Sequence, residues 1–346
     1  MSPEQQQISP SVEEELGPGR RGASLERVLS FTLEEELSRE VIAFKFGGSS
    51  LLGAKRLLHA AALVRDTAQA SPVVIVVSAM KGVTDRLLRV AHLLVEGRKD
   101  AARKEAETIV ELHSATLKEL NLEPDDHEQV ANELQLLSRD LLHEAAARGR
   151  AEVNDALFDR VSSFGERFAA RLFAAALLAN HVAAVPVSAS DFVLTCDTFR
   201  DAKPHLELTR QRGRQVLLPL LQAGIVPVVT GFIGATRDGK ITTLGRNSSD
   251  FSGALIAHVV DAEQLVIWTD VDGIYTANPR ESKEARLLQE LSYDEAHALA
   301  ASGAKVLHPH VLPLAAQTGM TVWIRNTFNP DARGTRIGFQ LNGGAA

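Results

Sequence analysis

From Val41 to Gly338 the chain alternates between short β-branched runs and longer stretches with apolar residues at helical spacing. "VIAFKF" reads as a strand, and "AKRLLHAAALVRDTA" as the helix after it. "PVVIVVSA" is a continuous apolar run, the pattern of a strand covered on both faces. "TDRLLRVAHLLVEG" predicts a helix with Thr84 as N-cap and Gly97 as stop. Residues 100–180 are almost wholly helical in pattern, with polar breaks at "NLEPDD" and "ARGRAEVND". Strand "VAAVPV", helix "LTRQRGRQVLLPLLQAG" and strand "IVPVVTGF" come next. "IGATRDGKITTL" predicts a hairpin turning on two residues, Asp238 and Gly239. A helix over 249–260 leads to strand "QLVIWTD". "YDEAHALAASG" and "HVLPLAAQTG" are helical, and "MTVWIRN" is a last strand. No fixed-period repeat and no long linker interrupts the series.

Strands alternating with helices predict an α/β fold with a mainly parallel, twisted sheet covered on both faces. In such sheets ligands bind beyond the carboxyl ends of the strands. Four polar or glycine-rich turns fall there: "GGSS", "SAMKGVTD", "GRNSSD" and "TDVDGIY". Their clustering is the functional signal.

Composition narrows the class. Hydrophobic residues at 45% and charged residues at 23% of 346 are ordinary for a soluble globular chain. The first 40 residues hold nine acidic and four basic side chains and so contribute most of the net charge of −7. The rest is nearly neutral, without the basic patch that nucleic-acid binding needs. The single cysteine, Cys196, excludes an intrachain disulfide and agrees with a reducing cytoplasm. The N-terminus lacks a basic-then-apolar signal pattern, and its Pro- and Gly-punctuated composition is that of a disordered acidic tail. "SLERVLSFTLEEELSRE" reads as a solvated lead-in or a short amphipathic helix. "FAARLFAAALLANHVAAVPV" is interrupted by Arg171, Asn180 and His181, so it predicts a buried helix and a strand, with no membrane span.

Each turn has an ordinary reading beside its functional one. In "FKFGGSS", Lys45 lies inside a core strand and aims at two glycines whose amides could form an anion nest. A snorkelling lysine before a plain strand-to-helix turn would look the same. The order is wrong for a P-loop, whose lysine follows its glycines. In "LGRNSSDFSGALIAH", Ser248 or Ser249 can cap a helix whose N-terminus attracts an anion. Asp250 suits that first turn as a cap, and Arg246 offers a planar fork to a carboxylate or sits on the surface. Glu166 opens a long apolar helix, where the helix dipole alone would favour it; facing a cleft, it could hold an ammonium group. Asp270 and Asp272 are turn residues. His308 and His310 flank Pro309 without a third ligand, which argues against a metal site. Lys305 suits either a phosphate or the carbonyls of a helix end.

Taken in order, "KFGGSS", "VVSAMKGVTD", "SFGERFAARL", "VVTGFIG", "TTLGRNSSDFSGALIA", "IWTDVDGIYTANPR", "LSYDEAHALAASGAKVLHP" and "RNTFNPDARGT" resemble the aspartokinases of the amino acid kinase superfamily. Nearly the whole stretch from 41 to 337 shares the resemblance, which is strongest to the kinase half of the bifunctional aspartokinase–homoserine dehydrogenases. It implies a three-layer α/β/α sandwich that transfers the γ-phosphoryl group of ATP to the 4-carboxylate of L-aspartate. That reaction opens the route to lysine, threonine and methionine in the cytoplasm. Mg²⁺ would be bound mainly by the nucleotide phosphates, without a dedicated protein site.

By the same resemblance, Lys45, Gly47, Gly48 and Ser49 would hold the transferred phosphoryl group, and Asp250 would orient Lys45. Ser78, Thr84, Glu166, Arg246, Asn247, Ser248 and Ser249 would form the aspartate pocket, with Glu166 on the ammonium and Arg246 on a carboxylate. Thr269, Asp270, Tyr275, Arg280 and Lys305 would hold the nucleotide. Two departures stand out: Ser248 replaces a usual glycine, and Asn278 a usual aspartate before Pro279. The implied organisation is a tail (1–40), an aspartate-binding lobe (41–225), a nucleotide-binding lobe (226–338) and a short end (339–346). Relatives phosphorylating N-acetylglutamate, glutamate, carbamate or UMP are the rival class, and an inactive subunit of a larger complex is another. Glu166 speaks against an acylated amine, and intact Lys45, Arg246 and Asp250 against inactivity. A homo-oligomer or a fused partner domain would suit the family. Because no ACT-type segment follows residue 338, kinase activity of this chain is expected to be insensitive to lysine, threonine and methionine.

Overall fold

The computed structural model describes residues 40–146, 155–277, 282, 284–301 and 307–339. Eight strands form the central sheet: β1 (Ile42–Phe46), β2 (Val73–Val77), β3 (Ala184–Val187), β4 (Val226–Thr230), β7 (Gln264–Thr269), β10 (Glu290–Ser292), β11 (Thr321–Asn326) and β12 (Thr335–Gly338). Their order is β10-β12-β11-β7-β1-β2-β4-β3. The six strands from β11 to β3 are parallel, and β12 runs antiparallel to β11 with β10 parallel to it. The expected mainly parallel α/β sheet is present. Small pairs β5 (Ile233–Ala235) with β6 (Ile241–Thr243), and β8 (Ile274–Tyr275) with β9 (Leu287–Leu288), flank it.

Strand periodicity of two sorts the core into two layers. Phe44, Phe46, Ile75, Val77 and Trp268 face one layer of helices. These are α1 (Ala54–Ala68), α2 (Val83–Val95), α3 (Lys99–Lys118), α4 (Pro124–Ala146), α5 (Asp155–Ser162) and α6 (Phe164–Ala179). Val41, Ala43, Val74 and Val76 face the other layer, made by α7 (Leu206–Gln222), α8 (Ser249–Val259), α9 (Tyr293–Ala301) and α10 (Val311–Thr318). The run "VVIVV" of β2 is buried at every position, as a doubly covered strand requires. Among the described residues no helix is long and apolar enough to cross a membrane.

Two local expectations fail. Thr84 is not an N-cap: α2 begins one residue earlier, and Gly82, at φ 85°, caps it by backbone alone. A left-handed residue at 82 lets the loop turn sharply and docks buried Val83 in the first helical turn. The hairpin closes over residues 236–240 rather than over two. Thr236 N–H donates to Lys240 O (2.9 Å), Gly239 N–H to Thr236 O (3.0 Å) and the Thr236 hydroxyl to Asp238 Oδ1 (2.5 Å). That side-chain bond stabilises the longer turn. The break at "NLEPDD" separates α3 from α4 as read. The tail, most of the "ARGRAEVND" break, and residues 278–281, 302–306 and 340–346 lie outside the described residues.

His113 of α3 gives the fold a measurable acid sensitivity. Its ring is buried, stacked on Phe168 at 4.5 Å, with Nδ1 2.7 Å from Ile109 O and Nε2 without a hydrogen-bond partner among the described residues. Burial lowers its pKa from 6.5 to about 4, outweighing the carbonyl contact. A depressed folded-state pKa means that the unfolded chain binds the extra proton first. The stabilising contribution is therefore complete above pH 6.5 and declines as pH falls towards 4. His113→Phe should gain stability relative to the parent on going from pH 7.5 to pH 5, read from urea midpoints. A parent–variant difference that is constant with pH would refute this.

Candidate functional site

The site grows from one strand position. Lys45 shares the face of Ala43, between Val76 and Ile267, and only 8% of it is exposed. A charge so placed needs a partner. Asp250, in the first turn of α8, supplies it, with Oδ1 2.6 Å from Lys45 Nζ. The helix can come this close because Gly253, one turn on, has no Cβ. A methyl group there would stand 3.1 Å from Lys45 Cβ.

The turn after β1 packs on the turn after β2. Lys81 N–H donates to Gly48 O (3.0 Å) and Ser78 N–H to Phe46 O (3.1 Å). A Cβ on Gly48 would lie 2.5 Å from Ala79 O, so backbone approach demands glycine here. Gly47 differs from its expected use, because its N–H already donates to Trp268 O at 3.1 Å. The strand neighbour claims that amide before any anion can.

Glu166 stands in the first turn of α6, fully buried. Its Oε1 accepts Ala79 N–H at 3.0 Å, while Oε2 meets no partner among the described residues. Burial pushes this carboxyl up to about 8, against the opposing pull of the Ala79 amide, its own amide and the Lys45 charge. An acid with one oxygen committed and one free is a seat for a cationic or hydrogen-bond-donating group.

A cavity of about 1140 Å³ joins Lys45, Gly47, Gly48, Ser78, Thr84, Glu166, Arg246, Asn247, Ser249 and Asp250, ten of the residues expected at the site. Arg246 is at its rim with Nη2 2.8 Å from Asp85 Oδ1, both side chains 75% exposed. Asn247 takes φ 63° in the same turn. Ser248 departs from expectation. It is fully buried outside the cavity lining, its side chain makes no capping bond to α8, and its Oγ has no partner among the described residues.

Ser49, Thr269, Asp270 and Tyr275 do not line this cavity. Thr269 ends β7, Asp270 is exposed after it, and Tyr275 belongs to β8. Asp272 anchors their turn by accepting from Asn326 Nδ2 (2.7 Å) and Asn329 Nδ2 (3.2 Å). Arg280, Lys305 and Asn278 lie outside the described residues.

Asp159, Asp85 and His308 line the cleft, although the sequence motifs assign none of them a part in it. Asp159 of α5 is 1% exposed and accepts Thr243 N–H (2.8 Å), the Thr243 hydroxyl (2.7 Å) and Arg200 N–H (2.9 Å). Burial lifts its carboxyl above the usual range despite these three donors. A lone acid in "LFDRVSSF" reads as helix surface, so no local signal exposed it. Asp85 was adjacent to Thr84 in the motif, but its pairing with Arg246 is tertiary. His308 lines the cleft, stacked against Phe251 at 5.8 Å, with Nδ1 accepting His310 N–H (3.4 Å). Among the described residues no group of three or more His, Cys, Asp or Glu side chains is placed to hold a metal ion.

Fold and cleft together define a class: α/β proteins that bind small charged ligands at the carboxyl edge of a parallel sheet. The particular family follows from comparison. Residues 40–326 match the amino acid kinase family, and the chain belongs to it. It is 33% identical over 298 residues to lysine-sensitive aspartokinase 3 of Escherichia coli (strain K12), covering 86% of this chain and 64% of that protein. It is 35% identical over 300 residues to chloroplastic aspartokinase 1 of Arabidopsis thaliana, covering 85% of this chain and 51% of that protein. The crystal structure of E. coli aspartokinase III in complex with aspartate and ADP superimposes with a TM-score of 0.76 at 31% identity, over 86% of this chain and 64% of that one. The chain thus spans about half to two thirds of these relatives.

The crowding at Gly48 sets a test of the floor that does not depend on activity. Gly48→Ala should force apart two hydrogen-bonded turns and destabilise the fold by about 2 kcal/mol, measured by urea unfolding. An unchanged midpoint would mean that the turns separate freely.

Proposed function

We propose that this chain transfers the γ-phosphoryl group of ATP to the 4-carboxylate of L-aspartate, giving 4-phospho-L-aspartate and ADP, the entry step to the aspartate-derived amino acids. The observation that carries this reading is the charge layout of one cleft. A lysine held by an aspartate forms the floor, a buried carboxyl with a free oxygen forms one wall, and an arginine in an exposed, exchangeable pair stands at the rim. The likeness to an aspartokinase whose complex holds aspartate and ADP supports aspartate as acceptor and an adenine nucleotide as the phosphoryl carrier here.

The chemistry asks little of the protein beyond placement and charge. A 4-carboxylate, with an unperturbed pKa of about 3.9, is already ionised at neutral pH and needs no base. Its oxygen attacks the γ-phosphorus in line, and the bond to the bridging oxygen breaks with its electron pair leaving on ADP. Lys45 offsets charge on the group in transit. Glu166 takes the substrate ammonium through its free oxygen, and Arg246 leaves Asp85 for the α-carboxylate. An exposed ion pair is worth roughly 0–1 kcal/mol, so that exchange costs little. Ser78, Thr84, Asn247 and Ser249 border the acceptor. Thr269, Asp270 and Tyr275, with Arg280 and Lys305, are assigned to the nucleotide. Mg²⁺ would be carried mainly on the nucleotide phosphates, the hard oxygen donors it prefers, where it would neutralise their charge.

ADP release coupled to NADH oxidation, run with aspartate, glutamate, N-acetylglutamate, carbamate and UMP, tests the acceptor. Aspartate is expected to drive turnover, and turnover on another acceptor alone overturns the reading. Lys45→Met keeps the stem against Gly253 and removes the charge. It should lower kcat on the order of 10²-fold with a small change in the KM for aspartate; a variant retaining most of its kcat would remove Lys45 from the chemistry. Glu166 adds a pH signature. Its raised pKa keeps it neutral below about 8 in the free protein, so ammonium binding must expel a proton. The kcat/KM for aspartate should therefore climb between pH 6 and 8 with a slope approaching one, and Glu166→Gln should flatten that limb. A parent profile flat over this range would count against the assignment.

A further inference from the structure

We infer that Arg200 is a second carboxylate-reading guanidinium of the acceptor site, acting beside Arg246 on the carboxylate that does not react. The inference rests on the proposed function and deepens it, since it concerns how the same cleft recognises a dicarboxylate.

The first observation is a backbone one. Arg200 takes φ 67°, a left-handed conformation that glycine adopts freely and a residue with a Cβ only under strain. What holds it there is buried Asp159, whose Oδ2 accepts both Arg200 N–H (2.9 Å) and Thr243 N–H (2.8 Å). That carboxyl ties the turn of Arg200 to the end of β6, three residues before Arg246. The two turns also touch directly, because a Cβ on Gly245 would lie 3.0 Å from Asp201 Oδ1 and 3.7 Å from Arg200 O. The anchoring uses only the amide of residue 200, and glycine would supply that amide without strain. Holding an arginine there serves its side chain, and strain kept in this way is typical of functional positions.

The second observation is where that side chain lies. Arg200 lines the same cavity as Lys45, Glu166 and Arg246. Its guanidinium stacks over the Phe158 ring at 4.9 Å, and Nη1 is 3.2 Å from Asp155 Oδ1, with both side chains more than half exposed. The stacking orients the planar fork, while the exposed ion pair is weak enough to be exchanged for a ligand. Arg246 and Asp85 form the same kind of pair elsewhere on the rim. A carboxylate has lone pairs for two guanidinium groups. Two exchangeable arginines on touching turns suit an acceptor with a free α-carboxylate as well as the reacting one.

The test compares the parent with Arg200→Gly and Arg200→Lys in the ADP-release assay, with melting temperatures measured alongside. Arg200→Gly relieves the backbone strain, so its Tm should stay within about 2 °C of the parent or rise. Its KM for aspartate should increase about tenfold, the loss of one charge-assisted contact, while kcat and the KM for ATP stay within about twofold. Arg200→Lys should fall between the two, because it keeps the charge and loses the fork. With the α-amide of aspartate as acceptor, which retains the reacting carboxylate, parent and Arg200→Gly should become equal. An aspartate KM in Arg200→Gly within twofold of the parent overturns the inference. So does a parallel loss for ATP or a large fall in Tm, either of which marks a structural role. A parent that turns over no aspartate removes the proposed function itself, a result the variants cannot mimic.

Discussion

The ion pair between Lys45 and Asp250 is the constraint on which the rest of the molecule depends. A lysine set among the apolar residues of a sheet covered on both faces needs a counter-ion beside it, and Asp250, only 23% exposed, supplies it at 2.6 Å. That requirement goes with the close approach of α8 to β1, which the glycine at 253 permits, and with the register that sets Lys45 between Val76 and Ile267. The helix is further tied to the sheet edge by the Ser252 hydroxyl, which accepts Phe232 N–H at 2.8 Å. Under the proposed function, stability and chemistry would be joined at this one contact. In the proposed reaction, the group that neutralises the lysine in the fold would also aim it along the cleft.

Around this pair the carboxyl edge of the sheet is built from turns that brace one another. The β1 turn hydrogen-bonds the β2 turn, the β2 turn donates to Glu166, and Asp159 joins α5 to β6 and to the turn of Arg200. Each link uses a backbone amide, held by a carbonyl or by a buried carboxylate, so the cleft is ordered before a ligand binds. Preorganisation of this kind is what a reaction driven by placement requires.

The electrostatics of the cleft divide into fixed and exchangeable parts. Lys45 and Glu166 are buried and held, and burial alone displaces the Glu166 carboxyl so far that its charge state becomes a function of what binds beside it. Arg246 with Asp85 and Arg200 with Asp155 are exposed pairs, screened by solvent and readily traded. A site so divided has a floor held by its ion pair and a rim that, under the proposed function, would be committed when an anion arrives.

By itself the sequence determined the layers of the fold and the identity of most of the floor. The unbroken apolar run of β2, the periodicity of α8 and the glycines beside Lys45 act over a few residues, and local steric and burial rules decide them wherever they occur. Tertiary structure decided the partners and the directions. Arg246 meets Asp85 across 161 residues and Thr243 meets Asp159 across 84, and no local pattern marks such pairs. It also overruled local propensity, starting α2 at Val83 rather than after a Thr84 cap, turning Ser248 inward and binding the Gly47 amide to Trp268. The physical reason is the same in each case. A cap, a turn or an amide contributes about 1 kcal/mol locally, whereas docking a whole helix against a sheet buries enough apolar surface to outweigh it.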